Sequence, residues 1–481
     1  MISPDRLLHH VCCDTNERRQ FGVSAALAFV LLGIAFYFYV SLKFVPDMGI
    51  RLLQAAGAMG VLLLLGPRFT LPMYFATMFG TAIGVPGLPV SLNKVCAAAF
   101  FLSWGVTLLR RRFTIPLTPA LGFLTVFTIY AVAMGVALRV PGTAPSYQQV
   151  VYLLLAVAVA SHFRVRAEFE SLLKSLLVLT CLISVVGPIE YILRRDLFSQ
   201  FSDNTLYAHN LRINGISKNA IQFAFNLTWM LPWALLLAIE TPSKWVRRFS
   251  FGAILYIAVL CFLTRNRQSP IIIAAMLVWG VALIRYRYRG RLLVLMTVAG
   301  IVFAPLVAYK IAERFTADRG RDMSLTIRRD KFLAARQMIT ENPWFGIGFN
   351  NFKDKWWDYK VRGETYVIHT EKGNQHYIDL GYLQLLVEMG IVGVVLYVCV
   401  FVATLVFWWR AFRAARRLGD SFYVNALAAA SMGFVQIALS MMLQDTFFIP
   451  RTYLLYGFLL ALVTMMRAAA ENETIDVESQ A

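Results

Sequence analysis

Residues 342–393 hold the residue types that proton transfer at a membrane surface would use. The stretch opens as a polar, aromatic-rich loop and ends inside an apolar run that continues to about residue 409. It carries three of the ten Trp, two of the six His (His369 and His376) and a carboxylate, Asp379, at the entry to the apolar run. A partly desolvated carboxylate has a raised pKa and can accept a proton from a hydroxyl. Asp379 fits two quieter roles equally: N-cap of the helix that follows, or ion-pair partner of an arginine. His376 is a second candidate base, its ordinary pKa lying near 6.5. On a helix it would share a face with Asp379. His209, His369 and His376 also read as solvated loop side chains. Glu388 falls inside the apolar run, where an ionised group is costly, so it requires a basic residue or a backbone site as partner. Gly346, Gly348, Gly390 and Gly393 suit tight turns and close helix packing better than a phosphate cradle.

The cations form a second group. Arg265 and Arg267 lie in a tight RNRQ turn between two apolar runs, at headgroup depth, where positive charge meets either lipid phosphate or an anionic ligand. The long loop at about 310–378 holds 13 Lys/Arg against 9 Asp/Glu. Long loops escape the charge rule, so that excess alone says little. Within it, 324–341 (SLTIRRDKFLAARQMITE) has the pattern of an amphipathic helix, with Ser324 as N-cap and Asn342-Pro343 as the stop. Arg328, Phe332 and Arg336 recur on one face, as in a helix lying on a membrane surface.

The elements that must position these groups are membrane-spanning helices. Of 481 residues, 58% are hydrophobic and the mean hydropathy is +0.61, which excludes a soluble globule. Apolar runs of roughly 15–25 residues, without period-2 alternation, favour helices over a barrel. The expected fold is all-α: a polytopic transmembrane bundle of about 12–14 spans with one large periplasmic loop containing short amphipathic helices. Candidate spans are about 21–42, 50–66, 70–84, 95–109, 117–138, 150–163, 169–193, 220–240, 249–264, 269–284, 292–309, 380–409, 422–443 and 452–466. Basic clusters occupy alternate loops, which places both termini in the cytoplasm. The same rule accounts for a formal net charge of +19 without nucleic acid as partner. The organisation follows as an N-terminal bundle (1–193), central spans with basic outer-face loops (194–309), a periplasmic loop (310–378), C-terminal spans (379–466) and a tail (467–481). All six Cys sit in the N-terminal tail or in apolar runs, and no Cys/His spacing suggests a metal.

Several segments, taken in order, resemble the O-antigen ligase/polymerase superfamily of bacterial inner-membrane proteins. ENPWFGIGFNNF at 341–352 is similar to the family's ExPxxGxGxxxF segment, and YLQLLVEMGIVG at 382–393 to its YLxxLxExGxxG segment. RINGISKNAIQFA at 212–224 resembles the RxxGxxxxPNxxA junction, LTRNRQ at 263–268 sits where the family has T-x-S-R-G, and TIRRDKF at 326–332 resembles the R-x-x-x-W helix start. The ligases place a His where this chain has Asp379, and IDLGYL is closer to the exopolysaccharide polymerase branch.

The resemblance implies a metal-independent, cofactor-free glycosyltransferase that joins undecaprenyl-diphosphate-linked repeat units on the periplasmic face. Near alternatives are a ligase transferring the glycan to another acceptor and, from a different class, a lipid-linked-oligosaccharide flippase. Such a transfer needs positive charge for the departing diphosphate and a base at the acceptor hydroxyl. Arginine binds phosphate bidentately and stays charged. Arg212, Arg265, Arg267 and Arg328 are the implied diphosphate ligands, Lys218 and Arg329 their neighbours, Glu388 a secondary charge, and Asp379 or His376 the base. Trp344, Trp356, Trp357, Tyr359 and Tyr382 are candidates for stacking on sugar rings, with an interfacial aromatic belt as the alternative. Implied partners are the lipid-linked donor and acceptor, membrane lipid, a chain-length regulator and a flippase.

Overall fold

The computed structural model describes residues 67–77, 92–110, 118–138, 144–193, 213, 215, 217, 220–266, 268–284, 289–290, 293–294, 323–356, 358–359, 380–442 and 450–480. Among these no strand forms, and the architecture is an all-α helix bundle. In chain order the helices are α1 (Pro67–Thr77), α2 (Leu92–Arg110), α3 (Pro119–Ala137), α4 (Ala144–His162), α5 (Arg166–Ser184), α6 (Val186–Leu193), α7 (Ala220–Glu240), α8 (Lys244–Leu263) and α9 (Gln268–Leu283). Then come α10 (Met323–Glu341), the single turn α11 (Phe352–Lys355), α12 (Gly381–Leu418), α13 (Ser421–Ser440) and α14 (Pro450–Gln480). Seven stretches are long and apolar enough to cross a membrane, α5 and α6 counting as one, and α2, α4 and α9 supply shorter apolar helices. The expected spans at 21–42 and 50–66 lie outside the described residues, as does nearly all of 292–309.

Local chemistry sets the helix ends. Thr118 caps α3, its hydroxyl accepting from Leu121 N, with Pro119 in the first turn where its missing N–H is harmless. Asp420 caps α13 through Phe422 N, and Gly419, in the left-handed region, ends α12. The span read at 169–193 stands as one crossing, Arg166–Leu193, in which helical bonding lapses only at Val185, just before Gly187-Pro188, where Pro lacks the donor a continuous helix needs. One expectation is corrected. The amphipathic helix begins at Met323, so Ser324 lies within its first turn rather than capping it.

The core is organised around α7, buried along nearly its whole length between α5, α8 and α13. Trp229, Trp233, Phe169 and Phe458 meet there edge-on or tilted, with ring centroids 5.0–6.4 Å apart. Polar groups inside are matched across helices: Gln436 on α13 donates to Thr228 Oγ1 (2.6 Å) and Phe225 O (3.1 Å) of α7. Around this core α4 packs on α14, α3 on α12, and α9 on α13. At one end, Arg166 bonds Glu170 and lies over the Phe422 ring, while Glu240 accepts from Ser421 and Asn425, tying α7 to the α12–α13 turn. The opposite end carries the candidate site.

Candidate functional site

At that opposite end α12 is not one helix. Gly390, at φ 64° and ψ −170°, interrupts it in a conformation open essentially to glycine alone. Gly381 N bonds Met441 O (2.7 Å) while the Tyr397 hydroxyl reaches Met441 Sδ (3.0 Å). A straight helix would hold residues 381 and 397 about 24 Å apart at ~1.5 Å per residue, so the axis bends sharply at the break.

The break frees backbone groups, and residues 343–348 take them up. In a continuous helix Ile391 N would bond Val387 O, and Val392 N would bond Glu388 O. Here Val387 O accepts from Ile347 N (3.0 Å) and Glu388 O from Gly348 N (2.9 Å). Ile391 N donates to Pro343 O (2.9 Å) and Val392 N to Trp344 O (3.2 Å). Met389 O accepts from the Tyr130 hydroxyl of α3 (2.8 Å). The segments ENPWFGIGFNNF and YLQLLVEMGIVG thus form one clasp. Its glycines are steric necessities: a Cβ on Gly346 would lie 2.5 Å from the Glu388 carbonyl, and one on Gly390 2.3 Å from Trp344 O.

Glu388 stands at the centre, 1% exposed. Its carboxylate accepts from Asn350 N (2.8 Å), Phe352 N (3.4 Å) and Gln384 Nε2 (3.2 Å). Gly348 and Asn350 both have positive φ, at 99° and 57°, which curls the chain so that its amides converge on the anion. Asn351 Nδ2 donates to Ile347 O (2.8 Å) and closes the turn. Beneath it Ala334, Ala335 and Met338 of α10 pack with Ile347, Phe352, Trp356 and Val387, a small apolar core that seats α10 against α12.

The sequence-derived candidates fall unevenly on this frame. Asp379, His376, Arg212, Arg267, Lys218 and Trp357 lie outside the described residues. Arg328 and Arg329 occur on α10, and Arg329 is exposed. Arg265, also exposed, sits in the α8–α9 turn at φ 51°, left-handed for a non-glycine residue. The turn is fixed by Thr264 Oγ1, which accepts from Asn266 N (3.3 Å), and by Asn266 Oδ1, which accepts from Gln268 N (3.1 Å). Trp344 is exposed and Trp356 is buried, so Trp356 offers no free face on which a sugar could stack. Tyr382 is partly exposed, its hydroxyl donating to Ala438 O (2.9 Å). Tyr359 donates to Glu341 Oε2 (2.6 Å), which tethers the end of α10 to the turn after α11. That bond pushes the Tyr359 phenol up to about 12 and holds the Glu341 carboxyl below its ordinary value.

Three contributors escaped the sequence reading. Tyr130 belongs to a distant helix and gave no local sign of its bond to Met389. Glu190 is buried and accepts from Gly215 N (2.8 Å), pinning the junction before α7 to α6; a carboxylate in an otherwise apolar run was the available signal. Arg451 is buried at the start of α14, its guanidinium 5.4 Å from the Phe75 ring centre. A cation immediately before the span expected at 452–466 was the hint there.

Residues 251–398 match the family model Wzy_C, described as O-Antigen ligase. This part of the chain, which takes in α9, α10, the clasp and the Arg265 turn, is therefore similar to the O-antigen ligase/polymerase superfamily. No curated protein matches the chain. In coarse terms the chain is a multi-pass membrane protein with an O-antigen ligase-like segment.

Proposed function

We propose that this domain makes the chain an inner-membrane glycosyltransferase that extends a lipid-linked glycan on the periplasmic side, using an undecaprenyl-diphosphate-linked repeat unit as substrate. The observation that carries the reading is the clasp: within the matched domain, two segments with the family's Gly-x-Gly and Glu-x-Gly patterns lock together around the buried carboxylate of Glu388. That construction gives a polar surface loop the rigidity of a helix, as preorganised transfer chemistry requires.

In this scheme Arg265, Arg267, Arg212 and Arg328 receive the charge that develops on the departing diphosphate, with Lys218 and Arg329 nearby. Asp379 or His376 takes the proton from the acceptor hydroxyl. Trp357, Tyr359 and Tyr382 border the glycan, Trp344 takes the alternative role of an interfacial aromatic, and Glu388 holds the loop rather than touching substrate. The left-handed turn at Arg265 supports the assignment of that residue, since strain held in place by two side-chain bonds fixes where a guanidinium projects. A chain-length regulator and a flippase are the proposed partners.

A second reading has its own support, because the matched model is described as a ligase. A ligase moves the finished glycan to a different acceptor and does not lengthen it. The purified protein in vesicles, supplied with lipid-linked repeat units, separates the two: a ladder of longer glycans still on lipid carrier is expected. Transfer to an added core acceptor with no ladder would establish the ligase. Asp379→Asn and His376→Ala, tested separately, are each read by accumulation of single repeat units. Full-length polymer from both would remove the proposed base.

A further inference from the structure

Beyond the Gly390 break, one face of α12 meets no other part of the described bundle. Ile391, Val395, Val398, Val402, Leu405 and Trp409 are all between 41% and 54% exposed and recur at helical spacing, as on the lipid-facing side of a span. The stripe stops at Trp409, next to Arg410. Residues 391–409 make about 28 Å of helix at ~1.5 Å per residue, close to the ~30 Å hydrocarbon thickness of a bilayer. The apolar stripe therefore measures one membrane thickness from the break, not from the start of α12.

At the Gly390 end the stripe is continued by residues from another segment. The bonds from Ile391 N to Pro343 O and from Val392 N to Trp344 O bring Trp344 and Phe345 against α12, where their side chains are 62% and 55% exposed. Two large aromatic side chains left open there, in a loop held to α12 by four backbone hydrogen bonds, match the chemistry of the bilayer interface. We propose that Trp344 and Phe345 insert into the acyl-chain edge of the leaflet beside Gly390, so that the membrane surface lies at the break. Residues 381–389, the Glu388 carboxylate and α11 then stand on the water side. The occupant of the patch is phospholipid because the patch continues a lipid-facing stripe whose other end is closed by a Trp and an Arg, the usual interfacial pair.

The test uses the full-length protein in phosphatidylethanolamine–phosphatidylglycerol vesicles, with a benzophenone amino acid placed singly at position 344, 345, 395 or 354. Asp354 is exposed on α11 and serves as the water-side position. After irradiation, mass spectrometry of the digest is expected to find phospholipid adducts at 344, 345 and 395 and none at 354. These side chains take no part in the clasp, so the substitutions preserve the fold, and adducts at 395 confirm insertion. Lipid adducts at 395 but none at 344 and 345 would overturn the proposal. So would protein cross-links at 344 and 345 in place of lipid, or adducts at 354 as abundant as those at 395.

Discussion

Replacing Gly390 by Ala tests whether the clasp is held against a competing straight helix. The new Cβ would lie 2.3 Å and 2.4 Å from the Trp344 carbonyl oxygen and carbon and 2.6 Å from Gly346 N, all backbone atoms that cannot rotate aside. The positive φ would also cost about 1–3 kcal/mol for a residue with a side chain. Both penalties vanish if α12 rewinds. Ile391 N then returns to Val387 O and Val392 N to Glu388 O, so two helical bonds replace the four that the loop supplied. At roughly 0.5–1.5 kcal/mol net per bond, that difference of two bonds favours the clasp by about 1–3 kcal/mol in the native protein, and the positive-φ penalty of about 1–3 kcal/mol, with the clash added, shifts the balance toward the open form by at least that much. Hydrogen exchange reads this directly. The amides of Ile347 and Gly348 should exchange about fivefold to a hundredfold faster, each 1.4 kcal/mol being worth a factor of ten. Amides of α7 and α13 should keep their protection, because the bundle core is untouched. Unchanged exchange at Ile347 and Gly348 would refute the account of the break as a contest between two bonding patterns. Loss of protection throughout would show that the break is needed for the whole fold.

Glu388→Gln keeps the shape but leaves one oxygen where two accepted hydrogen bonds, and turns an amide N–H toward other donors. A local loss of about 2 kcal/mol is expected, read as roughly thirtyfold faster exchange at Asn350 and Phe352 with the melting temperature of the core helices nearly unchanged. Arg265→Gly relieves a left-handed non-glycine residue worth about 1 kcal/mol and removes a charge. The protein should therefore melt slightly higher while transfer falls by on the order of a hundredfold, and a variant retaining full transfer would remove Arg265 from the proposed diphosphate site. The Tyr359–Glu341 tether has a defined pH window. Its carboxyl side is intact above the ordinary carboxyl range and is lost as pH falls through the lowered Glu341 value; its phenol side is intact below the ordinary phenol range and is lost as pH rises through about 12. Glu341→Gln should bring the ultraviolet titration of Tyr359, taken as the difference from Tyr359→Phe, back toward the ordinary phenol value.

Much of the architecture was legible because the physics is local. Hydropathy alone marks the helices, since a backbone in lipid must bond to itself, and the stop after Glu341 is written in Asn342-Pro343. The glycines at 346, 348 and 390 could be read as places where backbones come close. What they approach could not, because the bonds between 343–348 and 387–392 join segments some forty residues apart and depend on a helix being broken. Hydropathy also joined 380–409 into one run, whereas the break at Gly390 is a matter of φ and ψ. Trp356 shows the same limit in a side chain: composition places aromatics near the water boundary, but only packing against Phe352 and α10 decides that this one is interior. Glu388 shows the opposite case, in which the cost of an ionised group among apolar neighbours is visible in the sequence and only the identity of its amide partners is not.

The burial of α7 also bears on how the chain is assembled. Its Thr228 hydroxyl meets the Gln436 amide only after 208 more residues have been synthesised, and Trp229 and Trp233 wait longer still for Phe458. Until then a helix that will end up covered by protein on nearly every side lacks those neighbours. Chains ending before α13 should accordingly leave α7 open to quality-control proteolysis, which makes the C-terminal helices the step that commits the molecule to its final form.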